Sequence, residues 1–489
     1  PTSTTAKERP KIWTRVYSAI RSALVPPPEP DLEQAEKWEE EEERFSLITG
    51  LKDAAESARH ALIQVGQALI VLLTRMLPEA EPKQRAKRRK AKGISAGSTN
   101  TWLWIALLTP VLIILLFAFA RYQYEHSRQT QFTQLLQAAL DAKASAEANP
   151  VTTEKRAGLH EALTLLDEAL QLKPENEEAL LERQAIQAQL DDINLVSRIF
   201  YFSELKEFPD TQSAKSQPGT VIVHGIDVYV LDLGTNRVYK YLLNQAGDGL
   251  QDMEGDPVLL RKGDQHDQVV VDELLDIVWV EAGGERGTSN LLILDKKGHI
   301  LEYDPWTGLK PLPIADDSMW HKPIAAAAYY GNLYLLDPPA NRILKYQPTS
   351  RGYDLPAIDY FKEDAGANVS NAVDMAIDGN VYVLQADGTI SKYLSGAAVP
   401  FPQGNLDEPL KAPTCIFASG TLEDSGYVYV ADAGNQRIVQ FNRDGEFIRQ
   451  FRSQEPEYMD NLRSIFVDEA TRKLYLVNGS KLYLANLPE

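Results

Sequence analysis

The chain has 489 residues, of which 24% are charged and 44% hydrophobic, with a net charge of −19 and a single cysteine, Cys415. Such a length allows two or three domains. One cysteine excludes an intrachain disulfide framework, and the acidic balance makes binding to DNA or RNA phosphates a poor fit. The charge is uneven: residues 1–100 carry 17 Lys and Arg against 14 Asp and Glu, net +3, which leaves about −22 for the remainder.

Lys7 to Leu24 reads as a short basic amphipathic helix, with Ile12, Val16, Ile20 and Leu24 at i, i+4 spacing. It suits an inner membrane surface or packing on another domain. Pro26 to Pro28 and Pro30 end it. The five glutamates Glu39 to Glu43 belong on a solvated helix face or in a flexible link. Phe45 to Leu77 reads as helical. Gln64, Gln67 and Arg75 interrupt its apolar half, so it fits an interfacial or core helix better than a span.

Trp102 to Ala120 is a run of 19 residues without charge. At about 1.5 Å per residue it reaches roughly 28 Å, close to the ~30 Å core of a bilayer. Trp102, Trp104, Tyr122 and Tyr124 bracket it, as rings favouring the headgroup layer do. These features predict a transmembrane helix over 101–121. Lys83, Arg85, Lys87, Arg88, Arg89, Lys90 and Lys92 precede it, and only Arg121 and Arg128 follow closely. The positive-inside rule then places residues 1–100 in the cytoplasm and 122–489 outside it, in the cell membrane as a single-pass protein. The cluster abuts the run, so lipid rather than nucleic acid is its expected partner. A signal peptide is excluded by the length, the position and the lack of a small-residue cleavage site.

Residues 122–193 read as a helical stalk. Gln129 to Ala148 is rich in helix formers, Asn149-Pro150 breaks it, and Glu177 to Leu190 forms a further helix. Ala162, Leu166, Ala169 and Pro174 match the second half of a tetratricopeptide repeat, with room for about one and a half repeats, too few for a peptide-binding groove.

From Gly219 a unit recurs, ending at Asp232, Asp295, Asp337, Gln385, Asp432 and Asn478, with spacings of 63, 42, 48, 47 and 46. The long first interval holds a polar insertion near Asn244 to Asp256. Periods of this length with several strands each predict a mainly β fold, a six-bladed β-propeller over 194–489. The last blade has only three strands of its own. The aromatic segment Arg198 to Leu205, within 194–206, is expected to supply its outermost strand and close the ring.

Tyr429 to Phe441, Tyr-Val-Ala-Asp-Ala-Gly-Asn-Gln-Arg-Ile-Val-Gln-Phe, resembles an NHL repeat, and Tyr229 to Tyr241 and Tyr334 to Tyr346 are similar. The resemblance implies a propeller that binds protein or another ligand. The order of parts is similar to bacterial receptor kinases with an NHL-type sensor and to the membrane-anchored C-terminal regions of PP2C-type phosphatases. No catalytic domain of either kind is legible before residue 100. The chain therefore reads as a non-catalytic binding, sensing or assembly module with a cytoplasmic signalling partner.

Two constellations are candidates for chemistry. Arg237, Arg342 and Arg437 each follow the unit's aspartate by five residues, on one face of the disc. They read as a site for a protein or anionic partner, or as Asp–Arg pairs that close each turn. Asp276 and Asp374, with Thr414 and Ser464 in like positions, line the channel mouth, where they would hold Ca2+ or water. Six-bladed lactonases use a channel metal, so the resemblance implies a metal-dependent hydrolase as the alternative. His224, His266, His299 and His321 lack metal-ligand spacing. Cys415 reads as a core residue. Trp279, Trp306 and Trp320 read as core, or as one binding surface.

Overall fold

The computed structural model describes residues 99–488 apart from 253, 316, 405 and 421–425, with side chains described from Leu108 onward. The helices expected over Lys7–Leu24 and Phe45–Leu77, the glutamate run and the basic cluster lie outside the described residues.

Three helices come first: α1, Thr99–Ala148, with Pro110 inside it; α2, Thr152–Leu172; and α3, Glu177–Ile193. Asn176 caps α3, its side chain accepting the Ala179 N–H at 2.9 Å, which satisfies a donor that the first turn leaves unpaired. Leu159, Ala162, Leu166 and Ala169 form the buried stripe of α2. They pack against Phe132, Leu136, Ala139 and Ala146 of α1 and Ala179, Ile186 and Leu190 of α3. Gly158 allows the close crossing of α1 and α2: a Cβ there would lie 2.8 Å from that of Ala146.

Among the described residues no helix is long and apolar enough to cross a membrane. The transmembrane segment expected over 101–121 is therefore not found as such. From Leu108 the described apolar run ends at Ala120, before Arg121. That is about 20 Å of helix at ~1.5 Å per residue, short of a hydrocarbon core. The side chains of 101–107 lie outside the described residues. Within the described run the large apolar side chains are exposed, Ile114 at 66% and Phe117 at 72% among them.

The β-region is a closed ring of six blades. The innermost strands are Pro218–His224, Leu274–Val280, Ala325–Tyr329, Ala372–Ile377, Cys415–Ala418 and Leu462–Asp468. Each pairs antiparallel with a second strand, and a third and fourth follow outward. The second strands Asn290–Asp295 and Val381–Gln385 are buried at every residue, and the other four at every residue but the first. They read as continuous β-branched and aromatic runs because both faces of each sheet are covered. Six apolar clusters fill the six gaps between neighbouring blades, including the gap between the last and the first.

Ring closure differs from the single strand expected over Arg198–Leu205. Val196–Ile199 adds a fifth, parallel strand to blade five, along Gln450–Ser453. Ser203–Glu207 then pairs antiparallel with blade six, with Glu204 opposite Tyr483. Packing accounts for the split. Ile199 and Phe202 fill the gap between blades five and six, whereas Leu205 and Phe208 fill that between blades six and one. One short segment thus seals two gaps and fastens the stalk to the disc.

Candidate functional site: the channel mouth and the loop face

Strand register fixes which residues share a level in the channel. Thr220, Asp276, Ala325, Asp374, Cys415 and Ser464 each stand opposite the penultimate residue of their second strand. They form a ring in a central channel of about 480 Å3. Cys415, not Thr414, is therefore the blade-five counterpart of Asp276 and Asp374. Thr414 lies one residue earlier and donates its hydroxyl to the Leu462 carbonyl at 3.1 Å. Only the ladder resolves this one-residue offset, because bulges interrupt the innermost pairing in blades one, two, four and six and not in three or five.

Both carboxylates join blades. Asp276 accepts the Ile277 and Ala326 N–H groups at 2.9 and 2.8 Å and the Thr220 hydroxyl at 2.9 Å, reaching both neighbouring blades. Asp374 accepts the Met375 and Ile416 N–H groups, each at 2.8 Å. The open edge of an innermost strand leaves N–H groups without ladder partners, and these carboxylates satisfy them. Burial pushes the Asp276 carboxyl up to about 6 and the Asp374 carboxyl up to about 7, the latter raised further by Asp276, while the N–H donors pull both down. Burial, and then Asp374 beside it, hold the Cys415 thiol well above its usual range.

This donor set does not fit a calcium ion. Calcium takes about six to eight oxygens, with several carboxylates among them. The ring offers two carboxylates, and every one of their oxygens already accepts a hydrogen bond. Among the described residues no group of three His, Cys, Asp or Glu is placed to hold a metal.

The three arginines of the loop face occupy three different environments. Arg437 is 0% exposed and fully engaged: Nε with Asp432 at 2.7 Å, Nη1 with Asp407 at 2.5 Å and with Gln450 at 3.0 Å, Nη2 with the Glu408 carbonyl. It is a clasp that no ligand reaches. Arg342 is half-buried, bonded through Nη2 to the Met319 carbonyl and 3.7 Å from Asp337. Arg237 faces Asp232 across the ladder, but that carboxylate is taken by the Gln217 N–H at 2.8 Å and by Thr235.

The recurring end-of-strand residue explains itself here. Asp232, Asp295, Asp337, Asp432 and Asn478 each accept a backbone N–H of the loop leading into their own blade, from Gln217, Asp272, Lys322, Lys411 and Asn461. In blade four Gln385 donates instead, to the Asn368 carbonyl. The unit's strongest sequence signal therefore marks a structural tie.

No known protein family and no curated protein matches the sequence. Solved structures similar to it include a gluconolactonase of Xanthomonas campestris, at 15% identity over 54% of this chain and 82% of that one, with a TM-score of 0.35. A calcium-binding protein, regucalcin, of Agrobacterium tumefaciens is 11% identical over 60% and 96%, with a TM-score of 0.38. The WD40 propeller domain of Doa1 is 8% identical over 59% and 97%, with a TM-score of 0.34. The six-bladed ring rests on its own strand pairing rather than on these likenesses.

The other sequence candidates are dispersed. Trp279 stacks on His224 with ring centroids 3.8 Å apart, Trp320 donates to the Tyr346 hydroxyl at 2.8 Å, and Trp306 is 94% exposed in a turn, so the three make no common surface. His299 binds Asp295 at 2.8 Å. Two features escaped the sequence. One is Arg463, the bulged residue before Ser464, which lines the channel. The other is a cleft of about 670 Å3 between the stalk and blade five, bordered by Arg156, Arg183, Arg198 and Arg452. The first left a local signal, a lone arginine at the start of an innermost strand. The second depends on tertiary packing alone.

Proposed function

We propose that this chain is a membrane-anchored, non-catalytic binding module: a cytoplasmic region over 1–100, an apolar anchor within α1, a three-helix stalk, and an extracytoplasmic propeller that engages a protein or small ligand on its loop face. The observation that carries the reading is the apolar surface of α1. Consecutive residues Val111 to Phe117 are all exposed, and consecutive helical positions point to every side. So much apolar surface calls for cover by lipid or protein. From Phe132 onward the same helix turns its apolar residues into the stalk core instead. The non-catalytic part is supported by the engagement of both channel carboxylates and of Arg437 in ties between blades and loops. The likeness to sensor regions of receptor kinases and phosphatases agrees with a cytoplasmic partner.

The test is the full chain expressed in bacterial cells. Protease added to spheroplasts is expected to digest the propeller and spare Glu39 to Glu43, and the protein is expected to stay with membranes through an alkaline carbonate wash. Release by carbonate, or cleavage of the glutamate run from outside, would overturn the anchor. Calcium-dependent lactone hydrolysis lost on Asp374→Asn would favour the hydrolase instead.

A further inference from the structure

Among the described residues the channel wall holds one cation, Arg463, with no hydrogen-bond or ion-pair partner. Arg463 is the extra residue of the bulge in blade six. Bulges re-aim side chains and recur beside functional sites. Its Nε is buried without a hydrogen-bond partner, and among the described residues no hydrogen bond or ion pair engages the rest of its guanidinium. Arg286 and Arg342 also carry an unpartnered Nε, but each is bound through Nη2, to Glu302 and to the Met319 carbonyl. Arg463 is also the only charged residue at its level, where the other blades place Gly219, Leu275, Ile324, Val373 and Thr414.

The ring is polarised. Blade six carries the cation, and its neighbours, blades five and one, carry Thr414, Gly219 and Thr220, which are uncharged and small. Blades two and four carry the carboxylates Asp276 and Asp374. Asp276 Oδ1 accepts two hydrogen bonds, whereas Asp276 Oδ2 and each Asp374 oxygen accept one backbone N–H and keep a lone pair for a further donor. Arg463 is half-buried with its Nε enclosed and unpartnered, and a carboxylate would meet such a guanidinium through two parallel hydrogen bonds.

We propose that the channel mouth binds a small carboxylate that also carries a hydrogen-bond donor, the chemistry of hydroxy acids and amino acids. Arg463 takes the carboxylate beside the Ser464 hydroxyl, and the hydroxyl or ammonium group meets Asp276 and Asp374 across the channel. A multiply charged oxyanion such as phosphate is disfavoured, because the far wall is acidic. The inference rests on the reading of the propeller as a binding module, and adds a small-ligand site at the channel mouth to the partner site of the loop face.

The experiment is calorimetric titration of the full chain in detergent micelles at neutral pH with L-serine, L-lactate, acetate, inorganic phosphate and calcium chloride. Serine or lactate is expected to bind more tightly than acetate, with phosphate and calcium weaker still. Arg463→Gln is expected to weaken binding by about tenfold or more, the loss of one charge-assisted contact. Arg463→Lys should recover part of it, and Arg351→Gln, at an exposed ion pair outside the channel, should leave it unchanged. Absence of saturable binding by both serine and lactate, equal binding by Arg463→Gln, or tighter binding of phosphate or calcium would each overturn the proposal. A chain that stays in the membrane yet binds neither acid overturns this inference alone. A chain that binds serine yet washes off membranes overturns the anchor alone.

Discussion

Arg437 and Arg463 lie in adjacent blades and have opposite surroundings. Arg437 belongs to the repeated unit, is fully buried, and satisfies two carboxylates, a glutamine and a carbonyl. Arg463 falls outside the repeat, on a bulge, and engages no partner among the described residues. The repeated arginine is the conspicuous one in the sequence, yet the structure uses it as a clasp. The inconspicuous one keeps its donors for a ligand. In a propeller the periodic residues maintain the period, and the aperiodic ones are free for function.

The comparison rests first on a closed ring. A chain starting at Gly219 loses the fifth strand of blade five, the outer strand of blade six, and Phe202 and Phe208 from two apolar gaps. It is expected to aggregate, or to melt more than about 10 °C below a chain starting at Asn194, since each buried aromatic lost costs about 3–5 kcal/mol. Equal melting and solubility would remove the role given to the closing segment.

Removing the clasp is the next largest effect. Arg437→Met leaves Asp432 and Asp407 buried without their partner, and is expected to cost about 3–5 kcal/mol in denaturant unfolding. A loss under about 1 kcal/mol would return Arg437 to the ligand candidates.

The channel carboxylates give a pH signature of comparable or smaller size. Burial raises Asp374 to about 7 in the fold. Its unfolded value is near 3.9. A raised carboxyl contributes stability that is fully present below the unfolded value and is lost as pH rises through the folded one. From this group, stability falls between about pH 4 and pH 7 by roughly 3 kcal/mol and then levels off. Asp374→Asn should flatten that slope between about pH 4 and pH 7, while being less stable than the parent in acid because an acceptor for Met375 or Ile416 is lost. Parallel profiles for parent and variant would contradict the assignment.

Much of the fold was legible in the sequence because it repeats. The apolar run of the second strand recurs six times, ending on aspartate in four units and on Gln385 and Asn478 in the other two, and the stalk stripe Ala162, Leu166 and Ala169 keeps helical spacing. The split of 196–207 into two strands was not legible, since both halves are β-prone and only the apolar gaps on either side decide where each one goes. The channel ring was legible in part. Asp276 and Asp374 stand out as polar residues in apolar strands, but Cys415 could not be ranked with them without the ladder. Arg463 passed unnoticed because a bulge has no sequence mark, and a single arginine usually means a solvated face.

The most direct test of that contrast is the melting temperature of the parent chain and of Arg463→Gln, each with and without L-serine. At about 100 times the dissociation constant the ligand adds roughly 2.7 kcal/mol, which raises the parent's melting temperature by about 5 °C. Arg463→Gln is expected to match the unliganded parent within about 1 °C, since it removes no native partner, and to show no rise with serine. A variant that melts far below the parent, or one that rises with serine as the parent does, would contradict the account.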